Sequence, residues 1–580
     1  MYLRTSTRRN KSGQVVRYLQ LAHNEWDATA GVSRTKVVYS FGREDEVDRA
    51  GVERLIGSLT RLLDPAAAAA LTGPADMTFT DSRPLGGAHA LDGLWQRLQI
   101  PAAIEQSLTG RRASTDRVER ILFALTAGRA LKPSSKLAAT DWITHDVHID
   151  GLDQASDDAC YRAMDVLVEI EPVLAERIYH QVADLLNLEV DLLFFDTTST
   201  YFQTEAEDEP VARDQTGHLD PDGEITDPVR DVGFRTYGKS KDHRDDLPQV
   251  VIGMAVTRQG IPVRVWSWPG NTSDSMLIRQ VKDDMRDWSL ARIVWVADRG
   301  FSSQENRRYL QRAGGHYIIG EKLRSGSDDV KAALSRQGRY AQIADNMLVK
   351  EVKIEDAGDR FVICRNPEQA DRDRHIRDDL IARLTEKIAG SDALSVTKRA
   401  ELRGQISTKP GLHRFLRVTP KGLLRIDAAA IKTEERLDGK YLLRSSDPKL
   451  SPEDIAVGYK QLLEVERGWR DMKSVLDLRP VYHHLEDRIR AHALLCWLAL
   501  LLIRITETTT GRTWPSIRAD LQRLHLITFT GPAGTFRQTT ELTKPQRDLL
   551  TALGIEAPKK IIEIATTEPT EPGPTDATVA

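Results

Sequence analysis

Five short apolar segments between residues 190 and 320 limit the folds open to this chain more than any other feature of its sequence. Each is rich in Val, Ile, Phe or Trp and is bounded by turn-forming or charged residues, which is typical of buried strands. Two segments with helical periodicity separate the later strands, Met276–Trp288 before the fourth and Gln304–Arg312 before the fifth. The pattern predicts an α/β domain. The predicted strands are Val190–Asp196, Gln249–Thr257, Pro262–Trp268, Arg292–Asp298 and His316–Gly320.

Two of these strands end in an aspartate. Asp196 closes the run LLFFD, and Asp298 closes the run IVWVAD. Three strands, a helix, a strand, a helix and a strand is the order of a ribonuclease-H-like fold, in which both aspartates lie at the carboxyl ends of central strands. Because α/β sheets bind ligands at that edge, we expect the two carboxylates to share one site.

A third carboxylate belongs to the predicted helix Tyr459–Lys473. At about 100° per residue, Glu466 lies on a face that is otherwise apolar or cationic, whereas Glu464 points the opposite way. A carboxylate on the packed side of a helix is costly unless a cation or a metal compensates for its desolvation. Three acids from two strand ends and a helix predict a divalent-metal site for phosphoryl transfer.

The chemistry of phosphodiester cleavage explains why three acids are needed. Two Mg²⁺ ions about 4 Å apart activate the nucleophile and steady the departing oxygen, and such hard cations prefer oxygen ligands. Asp196 is the predicted bridging ligand, and Asp298 and Glu466 each complete one metal. Each acid also has a simpler interpretation: the aspartates could form turns, and Glu466 could pair with Arg470 one helical turn later.

The composition excludes fewer classes of function than the motifs do. The net charge of −4 is not that of a typical nucleic-acid binder, since phosphate neutralisation needs Lys and Arg. Acidic stretches nevertheless mask local basic clusters, such as Arg235–Arg244 and Arg467–Lys473, and local clustering matters more than the sum.

The chain is expected to be cytoplasmic, and nucleoid-associated when bound to DNA. Its N-terminus has no apolar core and predicts no secretory signal. The three cysteines show neither zinc spacing nor a disulfide framework, which fits a reducing compartment. The apolar run Ala491–Ile505 is interrupted by Arg504 and is too short to span a bilayer, so we predict a buried core helix.

Seven segments are predicted along the chain. The helical region 89–188 is the expected DNA-binding region that reads the ends of the DNA, with the basic segment 1–41 as the second candidate; a helical packing domain is the alternative for 89–188. The residues Pro65–Ala70 and the stretch TGPADMTFTDSRPLGG are predicted to form a linker. The segments are a β-hairpin and helix module (1–65), the helical region (89–188), the first part of the catalytic core (189–330), a β-rich insertion (331–450), the closing helices of the core (451–510), a C-terminal segment (511–565) and a disordered tail (566–580).

Specific spacings and longer blocks point to one family. Tyr459, Glu466 and Lys473 stand at the spacing Tyr, two residues, Arg, three residues, Glu, six residues, Lys, with Leu462 at the arginine position. The segments FFDTTSTYF, RTYGKSKDHRDDLPQVVIGMAV, VADRGF and ERGWRDMKSVLDLRPVYHHLEDRIRAHALLCWLALLL also look like blocks of this family. On these motifs the chain resembles a DDE transposase of bacterial insertion sequences over most of residues 1–510. Because Leu462 stands at the arginine position, the phosphate contact expected of that arginine would have to come from Arg470 or Arg467.

The resemblance implies both a fold and an activity. It implies a ribonuclease-H-like catalytic core with a β-rich insertion and dependence on two Mg²⁺ ions, for which Mn²⁺ can substitute. Asp196, Asp298 and Glu466 would form the catalytic, metal-binding triad. It also implies binding to terminal inverted repeats and target DNA, cut-and-paste movement, and a homodimer in the synaptic complex. The residues expected to contact DNA are Tyr459, Arg470, Lys473, Lys239, Lys241 and Arg299.

Two other functions compete with an active transposase. A catalytically silent DNA-binding protein derived from a transposase would bind inverted repeats without cleaving them, but all three acids are present in this chain. A stand-alone nuclease of the same fold would cut DNA without joining it. The absence of a GxxxxGK[ST] loop from the sequence agrees with a reaction that needs no external energy source.

Overall fold

The computed structural model divides the chain into two compact units. One unit comprises residues 1–178, 475–477 and 482–580, and the other comprises residues 179–474 and 478–481. The residues that the structure describes are 2–9, 15–27, 32–47, 52, 78–108, 115–185, 192–214, 216–286, 288, 293–324, 326–354, 358–531 and 534–566.

The regular elements are numbered in chain order. The strands are β1 (Tyr2–Arg9), β2 (Val15–Asp27), β3 (Val32–Arg43), β4 (Thr78–Pro84), β5 (Leu192–Tyr201), β6 (Gln249–Thr257), β7 (Pro262–Pro269), β8 (Val294–Ala297), β9 (His316–Glu321), β10 (Ala341–Ala344), β11 (Met347–Val352), β12 (Arg360–Arg365), β13 (Leu416–Val418), β14 (Leu424–Ile426), β15 (Lys440–Ser445), β16 (His525–Gly531), β17 (Gly534–Thr539) and β18 (Ile561–Thr566). The helices are α1 (Gly86–Arg97), α2 (Ile100–Ser107), α3 (Thr115–Leu131), α4 (Lys136–Asp141), α5 (Asp157–Leu185), α6 (Asp274–Asp284), α7 (Gln304–Leu310), α8 (Asp328–Ser335), α9 (Pro367–Ile388), α10 (Val396–Ser407), α11 (Pro410–His413), α12 (Ala428–Glu435), α13 (Pro452–Lys460), α14 (Leu463–Ser474), α15 (Glu486–Thr510), α16 (Trp514–Leu521) and α17 (Lys544–Ala552).

A nine-stranded mixed sheet organises the unit that contains residues 179–474. Its strand order is β10-β11-β12-β15-β9-β8-β5-β6-β7. Strands β5, β8 and β9 run parallel to one another. On the other side of β5, β6 pairs antiparallel with β5, and β7 pairs antiparallel with β6. The five strands and two helices predicted from the apolar runs all form, as β5–β9, α6 and α7. The prediction of an α/β architecture is therefore confirmed.

The segment 331–450 contains more helix than the β-rich insertion that the sequence predicted. Strands β10, β11, β12 and β15 extend the central sheet, and β13 and β14 pair as a short hairpin. The helix α9 alone spans 22 residues. It packs with α10 and α11 around a separate core, because apolar residues recur at helical spacing among its many charges. The buried members of this core are Leu384, Ile406, Leu412 and Phe415.

The other unit contains a long, buried, apolar helix. Helix α15 spans 25 residues and is buried from Ile489 to Thr506, so the prediction of a buried core helix is confirmed. It is longer than the predicted Ala491–Ile505. By length and composition alone it could cross a membrane, but its apolar stretch lies entirely inside the protein. Arg504 stays in this core because it pairs with Glu507 at 2.7 Å.

Two small antiparallel sheets belong to the same unit as α15. One has the order β1-β2-β3, where the sequence predicted only a hairpin, since the polar segment β1 carries little strand signal. The other has the order β18-β17-β16-β4. Strand β4 lies within the predicted linker, and that part of the linker prediction is wrong because β4 pairs with the distant strand β16. The helix predicted near Val52–Leu63 (apart from Val52), the linker before Thr78 and the tail beyond Thr566 lie outside the described residues.

Candidate active site

Asp196 and Asp298 occupy equivalent places on two neighbouring parallel strands. The parallel register of β5 and β8 ends with the pair Phe195 and Ala297, and each aspartate is the next residue of its chain. The strands before them are buried and apolar. The two aspartates therefore lie side by side, as the sequence predicted. The predicted strand end at Asp196 is wrong, however, because β5 continues to Tyr201 through its pairing with β6.

The carboxylate of Asp196 is held in a poorly solvated position. Burial raises its pKa to about 6, and the neighbouring carboxylates of Asp298 and Asp274 act in the same direction, while the ammonium of Lys241 opposes them. The Lys241 Nζ lies 3.8 Å from Asp196 Oδ1 and 3.1 Å from Asp274 Oδ2. A desolvated carboxylate beside two others is a position that a cation would stabilise.

Asp298 also has a local structural role. It caps the 3₁₀ turn Arg299–Phe301, and its carboxylate accepts a hydrogen bond from the backbone N–H of Gly300. The simpler interpretation of Asp298 as a turn-forming residue therefore holds alongside its place at the sheet edge. The capping bond fixes the direction of one carboxylate oxygen.

The segment that carries Glu466 differs from the single helix that the sequence predicted. Helix α13 ends at Lys460 and α14 begins at Leu463. Between them the chain tightens, since the N–H of Leu462 bonds to the carbonyl of Tyr459 at 3.1 Å, and i→i+3 bonds of this kind interrupt the α-helical ladder. The prediction of one continuous helix over Tyr459–Lys473 is therefore wrong.

Glu466 consequently lies on the exposed side of α14. The buried side chains of this helix are Val465, Trp469 and Met472, together with the backbone at Gly468, and Glu466 is exposed. The prediction that Glu466 is on the packed side is therefore wrong, although the helix contacts β5 and β6. Because Glu466 is exposed, its carboxylate is solvated and does not need a cation to compensate for burial.

Tyr459 connects the three acids electrostatically. Burial raises the pKa of its phenol, and the charges of Asp298, Asp196 and Glu466 act in the same direction, opposed by Arg299. Its ring stacks on Tyr441 of β15, with ring centroids 6.0 Å apart. All three carboxylates thus lie close enough to Tyr459 to act on one phenol.

The residues expected to contact DNA fall into two groups. Lys239, Arg299 and Arg470 are exposed. Lys241 is also exposed, but its ammonium, like the ammonium of Lys473 and the ring of Tyr459, contacts neighbouring protein groups. The Lys241 Nζ donates to the carbonyl and the hydroxyl of Thr197, at 2.7 and 2.5 Å. The Lys473 Nζ donates to the carboxylate of Asp242.

Two acids beside the site, Asp274 and Asp242, were not predicted from the sequence. Asp274 accepts a hydrogen bond from Thr197 Oγ1 at 2.9 Å and pairs with Lys241. Asp242 accepts from Lys473 Nζ, at 2.9 and 3.2 Å. In the sequence Asp242 stands inside a basic cluster, and Asp274 opens a helix as an ordinary first-turn acid. No local signal separates them from surface acids.

The donor set suits a hard divalent cation, but the ligands are not gathered at coordinating distances. Asp196, Asp298 and Glu466 supply only carboxylate oxygens, which Mg²⁺ and Mn²⁺ prefer. Across the described ranges, no three His, Cys, Asp or Glu side chains are placed to hold one metal ion. The desolvated Asp196 beside Asp298 fits a metal site by its chemistry, whereas Glu466 lies on the exposed side of α14.

A family model identifies the chain as a DDE-type DNA transposase. The family model "Transposase DDE domain" matches residues 232–502, a range that includes Asp298 and Glu466 and begins after Asp196. The model "IS1634 family transposase, N-terminal domain" matches residues 3–69. The chain belongs to the DDE transposases of bacterial insertion sequences.

Among solved structures, the chain is similar to the piggyBac transposase in a synaptic complex with hairpin DNA. The two chains share 11% sequence identity and a TM-score of 0.35, over 75% of this chain and 79% of the other. No curated protein sequence matches this chain significantly.

Proposed function

We propose that this enzyme moves an insertion sequence by cut-and-paste transposition. It would bind the terminal inverted repeats, cleave the DNA at the element's ends in a Mg²⁺-dependent reaction, and join the freed 3′-hydroxyl to target DNA. The observation that carries this proposal is the placement of Asp196 and Asp298 side by side, directly after the last residue pair of the adjacent parallel strands β5 and β8. The phenol of Tyr459, which is subject to the charges of both and of Glu466, supports a shared site.

The strand order supports a ribonuclease-H-like catalytic core. Taken in chain order from β5, the five strands are arranged third, second, first, fourth and fifth across the sheet. The first three are antiparallel neighbours, and the last two run parallel to the first. The strands of residues 341–445 then extend this core at its β9 edge.

Asp196, Asp298 and Glu466 are the residues that would hold the metal. Bound Mg²⁺ would activate the attacking oxygen and neutralise charge on the departing one. Asp196 and Asp298 come from rigid strands, whereas Glu466 comes from a helix that follows a turn at residues 461–462. Gathering all three requires the helix to be held against the sheet.

The exposed cations would position the DNA. Arg299 follows Asp298 directly, and Arg470 lies one turn beyond Glu466 on α14, so both guanidinium groups flank the carboxylates. Lys239 lies on the exposed loop before β6. Phosphate contacts of this kind fix the register of a duplex without reading its sequence. The inverted-repeat sequence would be read by residues 89–188, or by the N-terminal segment 1–41, and two copies of the chain would pair the ends.

The test is in vitro cleavage of DNA that carries the element's ends, with Mg²⁺, for wild type and Glu466→Gln. Glu464→Gln is the matched control, because Glu464 lies in the same helical turn and contacts Gly260 and Arg467 instead of the site. We expect cleavage and joining by wild type and E464Q, and loss of both in E466Q. Equal activity of E466Q and wild type would refute the role of Glu466.

One observation favours a second candidate, the catalytically silent DNA-binding protein. In the described part of the chain the three acids are not placed as ligands of one ion. Binding of the inverted repeats by the wild type without cleavage in Mg²⁺ or Mn²⁺ would establish that function. Cleavage without joined products would instead identify a stand-alone nuclease.

A further inference from the structure

The adjacent residues Lys241 and Asp242 connect the two elements that carry the acids. We infer that they act as a positioning pair, which fixes helix α14 with Glu466 relative to strand β5 with Asp196. The inference rests on the proposed function, because it concerns the geometry in which the three acids would act. It assigns roles to Lys241, Asp242, Lys473 and Arg479 within the protein.

Lys241 attaches the pair to strand β5. Its backbone N–H donates to Ser199 Oγ at 2.9 Å. Its ammonium donates to the carbonyl and the hydroxyl of Thr197 and pairs with Asp274. These contacts hold the ammonium 3.8 Å from the Asp196 carboxylate. Lys241 is thus bound to strand β5 through three groups, two on Thr197, which follows Asp196, and one on Ser199.

Asp242 attaches the pair to the far end of helix α14. Its carboxylate accepts from Lys473 Nζ at 2.9 and 3.2 Å and pairs with Arg479 Nη1 at 2.8 Å. Lys473 lies in the last turn of the helix, two turns beyond Glu466, which is roughly 10 Å along the axis. An anchor at that distance controls the tilt of the helix and therefore the position of Glu466.

The ion pairs on Asp242 are sheltered, unlike most pairs on the surface. The side chains of Asp242 and Lys473 are 14% and 15% exposed. Burial lowers the pKa of Lys473, and Asp242 opposes that effect. The Arg479 guanidinium also lies over the Tyr201 ring at 5.3 Å, at the end of β5. Removal of the Asp242 charge would leave two cations facing each other without their carboxylate.

The local backbone sends the two side chains in different directions. The N–H of Asp242 donates to Ser240 Oγ at 3.2 Å, and the N–H of Ser240 donates to Asp245 Oδ1 at 2.7 Å. His243 adopts a left-handed conformation with φ of 57°, which a non-glycine residue seldom adopts unless the surrounding contacts impose it. The loop is therefore built to hold Lys241 on the strand and Asp242 on the helix.

The test compares Asp242→Asn with the matched control Asp246→Asn. Asp246 belongs to the same loop and pairs with Arg244 at 2.8 Å, but its side chain is 64% exposed. Two measurements are made on the full chain: Mn²⁺ binding without DNA, by electron paramagnetic resonance, and the kcat and KM of end cleavage in Mg²⁺. Residues that orient metal ligands typically change metal affinity or activity by about 10- to 100-fold.

We expect D242N to weaken Mn²⁺ binding and to lower kcat by about 10-fold or more, with KM for the DNA little changed and D246N like wild type. Asp242→Glu, which keeps the charge, should recover part of both losses. If D242N does not fold, the same two measurements on D242E test the inference, because the longer side chain shifts the helix while keeping the ion pairs. Mn²⁺ binding and kcat equal to wild type in the folded Asp242 variants would overturn the inference.

The same experiment separates this inference from the proposed function. If the wild type does not cleave DNA but D242N, unlike D246N, loses Mn²⁺ affinity, the positioning role stands and the proposed function fails. If the wild type cleaves and both variants match it, the proposed function stands and the positioning role is refuted. If D242N and D242E lose thermal stability and every activity in parallel, Lys241 and Asp242 only stabilise the fold. That result would also refute the positioning role.

Discussion

The hydroxyl of Tyr459 occupies the space that a β-carbon on Gly320 would fill. Gly320 lies in β9, which neighbours β8, the strand that precedes Asp298. The missing side chain lets the phenol reach the strand ends, where it is subject to the charges of all three acids. A glycine in a buried strand is otherwise unfavourable, since it has no side chain to pack. The close approach of Tyr459 explains its presence.

Gly320→Ala should therefore destabilise the protein by about 1–3 kcal/mol, the usual cost of overpacking a core. The added β-carbon would lie 3.0 Å from Tyr459 Cζ, so removal of only the hydroxyl in G320A/Y459F should restore part of the loss. The measurement is urea unfolding of both variants. Gly404→Ala is the control: no atom lies within 4 Å of its β-carbon, and a helical alanine should stabilise by about 1 kcal/mol. A G320A variant as stable as wild type would contradict the packing.

Asp196→Asn should stabilise the metal-free protein at neutral pH. The pKa of Asp196 is raised to about 6, so between about pH 4 and 6 the folded protein holds a proton that the unfolded chain has lost. The contribution of Asp196 to stability therefore falls as the pH rises through that window. We expect D196N to exceed wild type in Tm at pH 7.5 in EDTA, and the difference to shrink by pH 5. The control variant is D345N, because Asp345 is exposed. A difference in Tm between D196N and wild type that does not change with pH would contradict the raised pKa of Asp196.

Lys136, in the other unit, should make the stability of the protein rise with pH, which is opposite to the effect of Asp196. It is 4% exposed, and burial, together with the charge of Arg129, lowers the pKa of its ammonium to about 7. It also begins helix α4, where a cation opposes the helix dipole. Between pH 7 and 10 the unfolded chain binds the proton more strongly, so stability rises with pH. We expect the gain in stability from pH 7 to 9 to be about 2 kcal/mol larger in wild type than in Lys136→Met.

Urea unfolding at both pH values measures this difference. Lys544→Met is the control, since Lys544 is 79% exposed and pairs only with Asp548 in its own helix. Its pH dependence should equal that of wild type. A K136M variant that gains stability with pH as steeply as wild type would show that Lys136 is not the group responsible.

Local patterns predicted the centre of the fold. Strands β5–β9 are continuous apolar runs bounded by turns, and each signal lies within the strand itself. The same runs predicted Asp196 and Asp298, because an aspartate that ends an apolar run is visible in the sequence, whereas the continuation of β5 to Tyr201 is not, since those residues are mostly polar. Strand β4 was missed since its partner β16 is about 450 residues away along the chain, and no local pattern reports such a pairing.

The errors at the site have a similar origin. The face of Glu466 was wrong because two i→i+3 bonds around Leu462 separate α13 from α14, and helical periodicity cannot show a change of axis. Asp242 was counted in a basic cluster because its partner Lys473 is 231 residues away. A pair of this kind becomes visible only when the loop and the helix are folded together.

The place of β15 in the sheet has a consequence for synthesis of the protein. Strand β9 pairs on one side with β8 and on the other with β15, so one edge of β9 has no partner until residues 440–445 have left the ribosome. Unpaired strand edges invite pairing with other chains. A nascent chain is therefore most prone to misassociation while the ribosome translates the residues between β9 and β15. Copies of the gene truncated within that interval would yield an aggregating fragment instead of a smaller enzyme.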